Sequence, residues 1–256
     1  HMRNDLEKKG WQVEYTELGP KSKSCSLEER LRKDLQKLKP EKVVSVLPGE
    51  WRIREVVAKV LEAAGLAVEF LEDTHFLSTP DEFKTWANQR KSIRLEYFYR
   101  DLRKKHDVLM DSNGKPEGGE WNYDAENRGT FGRSGPEGLP QRRVRRQRDK
   151  VLSEVIELVN SRFEDHPGSL SEDTFPWPVN PRQAESALDQ FIEKALPEFG
   201  TYQDAMWTDE PFLYHSLLSN SLNLKLLHPM DVIRKAEQAY EDGHAPLNAV
   251  EGFIRQ

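Results

Sequence analysis

The chain has 256 residues, 36% hydrophobic and 32% charged side chains, a net charge of -6 at neutral pH and one cysteine. A single cysteine excludes a disulfide framework and argues against a zinc or iron–sulfur site built within the chain. The acidic balance argues against a protein that coats nucleic acid by bulk charge, and leaves local basic patches open. No apolar run approaches the roughly 20 residues that cross a bilayer, and no signal peptide opens the chain. No membrane partner is therefore expected, and the expected compartment is cytoplasmic. His1-Met2 reads as the remnant of a cleaved tag.

In chain order, Trp11 to Leu18 (WQVEYTEL) alternates apolar and polar residues, which predicts a strand. Ser26 with Glu29 three residues on forms a capping box. Leucines at 27, 31, 35 and 38 then give an amphipathic helix that ends before Pro40. Lys42 to Pro48 (KVVSVLP) has the β-branched run of a buried parallel strand. A second amphipathic helix, EWRIREVVAKVLEAAG, stops at Gly65, and LAVEFLED supplies a third strand. Strand and helix alternating in short succession predict right-handed crossovers and an incomplete, Rossmann-like parallel sheet in an α/β part. From STPDEF onward, Ser78 or Thr79 caps a long helix running to about His106, with Pro80 in its first turn. A Gly/Pro/Asn-rich connection follows, and a loop of that length is usually functional or a linker. The basic run Arg142 to Lys150 comes next, and then helices over 150–163, 181–196, 213–226, 229–240 and 246 to the end. The expected domains are a partial α/β domain (1–75), a long helix and interdomain linker (76–149), and a partial all-α domain (150–256). The apolar face at Val250, Phe253 and Ile254 begins without a stop signal, so the sequence reads as a fragment truncated at both ends.

Four stretches carry possible chemistry. In PFLYHSLLSNSLNLKLLHP (Pro211 to Pro229), Ser216 and Ser219 fall three apart on one face of the predicted helix. Hydroxyls and free amides at a helix start make an anion site; a capped helix with polar residues facing water is the alternative. DSNGKPEGGEWNYDAENR is either a linker pinned down by Trp121 and Tyr123 or a loop that positions two domains around a ligand. WANQRKSIRLEYFYRDLRKKH interleaves cations with aromatics. Such a pattern suits a nucleic-acid backbone and stacked bases, or a helix whose core face is Ile93, Tyr97 and Phe98. Arg142, Arg143, Arg145, Arg146 and Arg148 suit phosphate contacts or a solvated linker. Cys25 and His75 read as incidental. No nucleophile–histidine–acid constellation and no Gly-rich phosphate loop stands out, so no catalytic residue is assigned.

Several blocks resemble one family. EFKTWANQRKSIRLEYFYRDLRKKHDVLM, GKPEGGEWNYDAENR, FGTYQDAMWTDEPFLYHSLLSNSLNLKLLHP, APLNAVEGFIRQ and PGEWR are similar to the deoxyribodipyrimidine photolyase-related proteins, the iron–sulfur bacterial cryptochromes and bacterial (6-4) photolyases. The resemblance runs in order over nearly the whole chain. It implies a cryptochrome/photolyase architecture, with an N-terminal α/β antenna domain and a C-terminal helical domain holding FAD. The implied activity is that of a DNA photolyase, a lyase in which the photoexcited flavin donates an electron to UV-damaged pyrimidine pairs in DNA. Family members also carry a lumazine-type antenna chromophore and a 4Fe-4S cluster.

By position, HSLLS is similar to the photolyase flavin phosphate loop, so His215, Ser216, Leu217, Leu218 and Ser219 would hold the FAD diphosphate. Tyr202 corresponds to the tyrosine preceding that loop, and Gln256 opens the next flavin-lining helix. Asn220 stands where the family usually has proline. The rest of the flavin pocket and the cluster cysteines are absent from the sequence, so the fragment is expected to bind FAD weakly or not at all and to be inactive. DNA contacts are assigned to Arg142, Arg143, Arg145, Arg146 and Arg148. A cryptochrome-type blue-light photoreceptor without repair activity and a non-catalytic DNA- or protein-binding module are the alternatives.

Overall fold

The computed structural model describes residues 1–18, 25–140 and 149–256. The arginines at 142, 143, 145, 146 and 148 lie outside the described residues. The chain divides into two compact units, residues 17–89 and residues 1–16 together with 90–256.

The chain opens on a short helix, α1 (Met2–Lys8), and the rest of its first twenty residues forms no regular element among those described. The strand predicted over Trp11 to Leu18 is not formed. Alternation makes a strand only where a ladder partner is available, and in this structure Trp11 and Tyr15 are solvent-exposed. In the unit 17–89, α2 (Leu27–Leu38) starts at the expected capping box. There the Glu29 N–H donates to Ser26 Oγ at 3.1 Å, and the Ser26 N–H donates to the Glu29 carboxylate at 3.2 Å. Strand β1 (Val43–Val46) leads through α3 (Trp51–Ala63) to β2 (Val68–Leu71). The two strands pair in parallel, Val43 opposite Val68 and Val46 opposite Leu71. Gly65 takes a positive φ of 71° just past α3, the left-handed stop that glycine adopts most cheaply. The unit closes with α4 (Pro80–Asn88), where Thr79 and Glu82 form a second capping box and Pro80 sits in the first turn.

The single helix expected from Pro80 to His106 is instead two, α4 and α5 (Leu95–His106). The break spans Gln89 to Arg94, where Ser92 and the β-branched Ile93 are weak helix formers. Arg90 turns back to pair with Asp101 of α5 at 2.8 Å.

The larger unit is helical. Besides α1 and α5 it holds α6 (Lys150–Arg162), α7 (Pro181–Lys194), α8 (Leu196–Tyr202), α9 (Ser219–Asn223), α10 (Pro229–Glu241) and α11 (Leu247–Arg255). Leu188 and Phe191 of α7, Leu196 and Phe199 of α8, Val232 and Ala236 of α10 and Val250 of α11 form its core. Helices α8 and α11 pack so closely that a Cβ on Gly200 would lie 2.5 Å from the Ala249 Cα. Asn127, fully buried, wedges between them: its amide donates to the Asn248 carbonyl at 3.0 Å and accepts from the Asn248 side chain at 2.9 Å. A Cβ on Gly252 would meet that same Asn127 amide at 2.7 Å.

The connection after α5 is therefore part of the helical core. Val108 and Leu109 are buried in it. The Arg103 guanidinium, also buried, donates to the carbonyls of Val108, Leu109 and Trp121. Glu251 of α11, with no exposed surface, accepts from the Tyr99 hydroxyl at 2.9 Å and from the Tyr123 N–H at 3.2 Å. Arg255 lies 3.3 Å from the Glu251 carboxylate and also pairs with Asp124. Burial pushes the Glu251 carboxyl above its ordinary range, opposed by the Tyr99 hydrogen bond and the Arg255 charge. The buried face of α5 thus carries Arg103 and much of Tyr99, whereas Ile93 and Tyr97, candidates for that face from sequence, are exposed.

Two outcomes follow from this packing. Gly200→Ala should destabilise the protein by about 1–3 kcal/mol in chemical denaturation, because the added methyl overlaps the α11 backbone; an unchanged midpoint contradicts the close approach. Glu251 holds its proton more tightly folded than unfolded, so its contribution to stability falls as pH rises from the ordinary glutamate value through the raised one. The stability of the wild type relative to Glu251→Gln, measured across that range, should fall in the same direction; a difference that is flat or rises contradicts the assignment.

Candidate functional site

The helix predicted over 213–226 is observed only as the five residues of α9. Leu213 and Leu217 have positive φ values, 42° and 57°, and a non-glycine residue in that left-handed region interrupts an α-helix. Ser216 thus precedes the helix, and Ser216 and Ser219 do not share a helical face. A five-residue helix also has little macrodipole to offer an anion.

The loop offers something else. Among the described residues, none of the backbone N–H groups from Ser216 through Ser221 donates a hydrogen bond; the first to do so is Leu222, to the Leu218 carbonyl. Successive free amides around a left-handed residue form a concave donor set that suits an anion. The hydroxyls of Ser216 and Ser219 are likewise unengaged, the first partly exposed and the second exposed. No carboxylate occurs between Pro211 and Asn223 to repel negative charge. Leu218 is buried and anchors the loop, Leu217 is half-buried, and His215 is exposed with its ring edge-on to Phe199 at 6.2 Å. Sequence reasoning noted Asn220 only as standing where the family usually has proline and gave Ser221 no role. Asn220 Oδ1 and Ser221 Oγ are buried and lack a hydrogen-bond partner, and buried polar atoms are seldom left so.

Tyr202, at the end of α8, reaches the base of this loop through ring stacking. Its ring lies between Phe131 at 4.5 Å and Tyr214 at 5.5 Å, and Trp207 packs edge-on to Phe131. Burial holds the Tyr214 phenol above its usual pKa. Gln256 is exposed at the end of α11, where its amide donates to the Gln203 side chain at 3.3 Å. The structure therefore brings Tyr202 against the 214–219 loop and places Gln256 beside Gln203, the residue that follows Tyr202.

Among the described residues no group of His, Cys, Asp and Glu side chains could hold a metal ion, and the one cysteine, Cys25, is exposed. A single thiol does not fit a 4Fe-4S cluster, which takes four. No helix among the described residues is long and apolar enough to cross a membrane.

Residues 1–175 match the family model described as deoxyribodipyrimidine photo-lyase-related protein. The whole chain is 41% identical over 256 residues to a protein named (6-4) photolyase from Agrobacterium fabrum (strain C58), of which it covers 49%. An uncharacterized protein of Acanthamoeba polyphaga mimivirus is 30% identical over 88 residues, which is 33% of this chain and 44% of that protein. A crystal structure of a bacterial class III photolyase from Agrobacterium tumefaciens aligns with 91% of this chain and 42% of its own, at a TM-score of 0.48 and 17% identity. The chain thus spans about half the length of the curated relatives it matches. The family match over residues 1–175, with identity to one curated relative sustained from end to end, places the chain in the deoxyribodipyrimidine photo-lyase-related protein family.

Proposed function

We propose that this chain carries the diphosphate-binding loop of a light-dependent, FAD-based enzyme that repairs UV-damaged pyrimidine pairs in DNA, of the (6-4) photolyase kind. The observation that carries the reading is the run of six free amide N–H groups from Ser216 to Ser221, in a stretch without carboxylates, on a chain 41% identical throughout to a (6-4) photolyase.

The residues fit such a group. The amides, and the Ser216 and Ser219 hydroxyls when turned toward it, present donors to a doubly charged diphosphate, and hydrogen bonds to a charged group are stronger than neutral ones. Leu217, in its left-handed conformation, sets the curvature of the loop, and buried Leu218 fixes its depth. The Tyr202–Tyr214 stack backs the loop, so that the donors are positioned before anything binds. His215 is exposed within the loop, and Gln256 is exposed beside Gln203, the residue after Tyr202. Bound FAD would supply the photochemical electron transfer; what these residues supply is orientation and charge neutralisation. Damaged DNA is the partner on this reading, and the arginines from 142 to 148 are its proposed phosphate contacts.

In an NMR titration of the chain with FAD, the amide resonances of Ser216 to Ser221 should shift together. Replacing Ser216 and Ser219 by alanine should weaken that binding roughly 5- to 150-fold, the loss of about 1–3 kcal/mol of hydrogen bonding to a charged group. Shifts elsewhere with these amides unmoved, or equal affinity in the double variant, count against the loop.

A further inference from the structure

The stretch from Arg90 to Tyr97 is exposed except at Glu96, although three of its eight residues are apolar. Ile93, Leu95 and Tyr97 are 57%, 70% and 40% exposed. From Arg90 to Lys105 the sequence holds seven Lys or Arg residues and two carboxylates, in a chain whose net charge is -6. Both carboxylates are engaged: Glu96 pairs with Arg100 at 2.8 Å, and Asp101 pairs with Arg90 at 2.8 Å and with Lys104 at 3.8 Å. Of the other four cations, Arg103 is buried against backbone carbonyls and Lys105 is engaged elsewhere, while Lys91 and Arg94 are exposed with no acidic partner among the described residues. The Arg100 guanidinium lies 5.6 Å from the Tyr97 ring centroid and holds one of the ring's faces.

We propose that this edge of α5 docks single-stranded DNA, with Lys91 and Arg94 on successive phosphates and Tyr97 as a platform for a base. The charge is concentrated where the molecule is otherwise acidic, which favours a polyanion. An exposed flat ring at Tyr97 among the cations suits a stacked base better than the outside of a paired duplex. Ile93 and Leu95 give adjacent apolar contact. These residues are distinct in sequence from the arginines at 142 to 148, and the proposal rests on the reading that DNA is the partner.

The test is fluorescence anisotropy of a labelled oligo-dT with the chain, over a series of salt concentrations. Lys91→Glu/Arg94→Glu should weaken binding and make the slope of log affinity against log salt shallower by about 1.4, near 0.7 for each lost phosphate contact on a single strand. Tyr97→Ala should weaken binding about 5- to 100-fold while leaving that slope unchanged, as expected for lost stacking. Circular dichroism confirms that these exposed substitutions leave the fold intact. Affinity and slope unchanged in the double variant, or lost only on charge reversal from 142 to 148, overturn this surface and leave the DNA reading standing. A wild-type chain that does not bind the oligonucleotide overturns both. Substitutions that dissolve a dimer without changing DNA affinity make the surface a contact between copies and likewise overturn the proposal.

Discussion

The helical unit depends on one close approach. Helices α8 and α11 lie near enough that no side chain fits at Gly200 or Gly252, and the amide of Asn127 fills the gap between them. Asn127 comes from a segment far from either helix in sequence, so a single buried side chain fixes three parts of the chain at once. The consequence reaches the candidate site directly. Tyr202 ends α8 and Gln256 follows α11, so the contact that sets the spacing of the helices also sets the spacing of these two residues.

Around that contact lies a polar network with little access to water. Glu251 would be costly to bury as an isolated ion, and it is tolerated because a hydroxyl, an amide and a guanidinium all point at it. Arg103 is treated in the same way, with three carbonyls and the Trp121 ring around its guanidinium. Each group is satisfied only if the segment from Val108 to Asn127 adopts one path. The network therefore selects a conformation for a Gly-rich stretch whose own regular structure is one 3-10 turn at Glu117–Gly119 and a single bridge between Met110 and Pro116.

Much of this was legible in the sequence wherever local chemistry decides structure. Ser26 with Glu29, Ser78 or Thr79 with Pro80, and Gly65 marked helix ends that form in the structure, where Thr79 is the cap and Glu82 completes a box that was not expected. Signals that need a distant partner were not legible. Trp11 to Leu18 alternates as a strand does, but no ladder partner meets it among the described residues. The helix expected to start at Leu213 is delayed until Ser219, because Leu213 and Leu217 take left-handed conformations that nothing in their side chains announces. The hydroxyls and free amides were visible from the sequence, but not that they belong to a loop preceding a five-residue helix, where a dipole has little to add. The burial of Asn127 and Glu251 could not be read from a single sequence, since their partners lie more than a hundred residues away.

A family assignment shows ancestry, and a function has to be argued from a site. Here the candidate site is a loop with left-handed residues at Leu213 and Leu217, a buried Leu218, and the Tyr202–Tyr214 stack at its start. The most direct measurement is a crystal structure of the protein grown with FAD. The account predicts diphosphate oxygens within hydrogen-bonding distance of the Ser216 to Ser221 amides and of the Ser216 and Ser219 hydroxyls. A dinucleotide bound elsewhere, with those amides turned to bond within the chain, would contradict it.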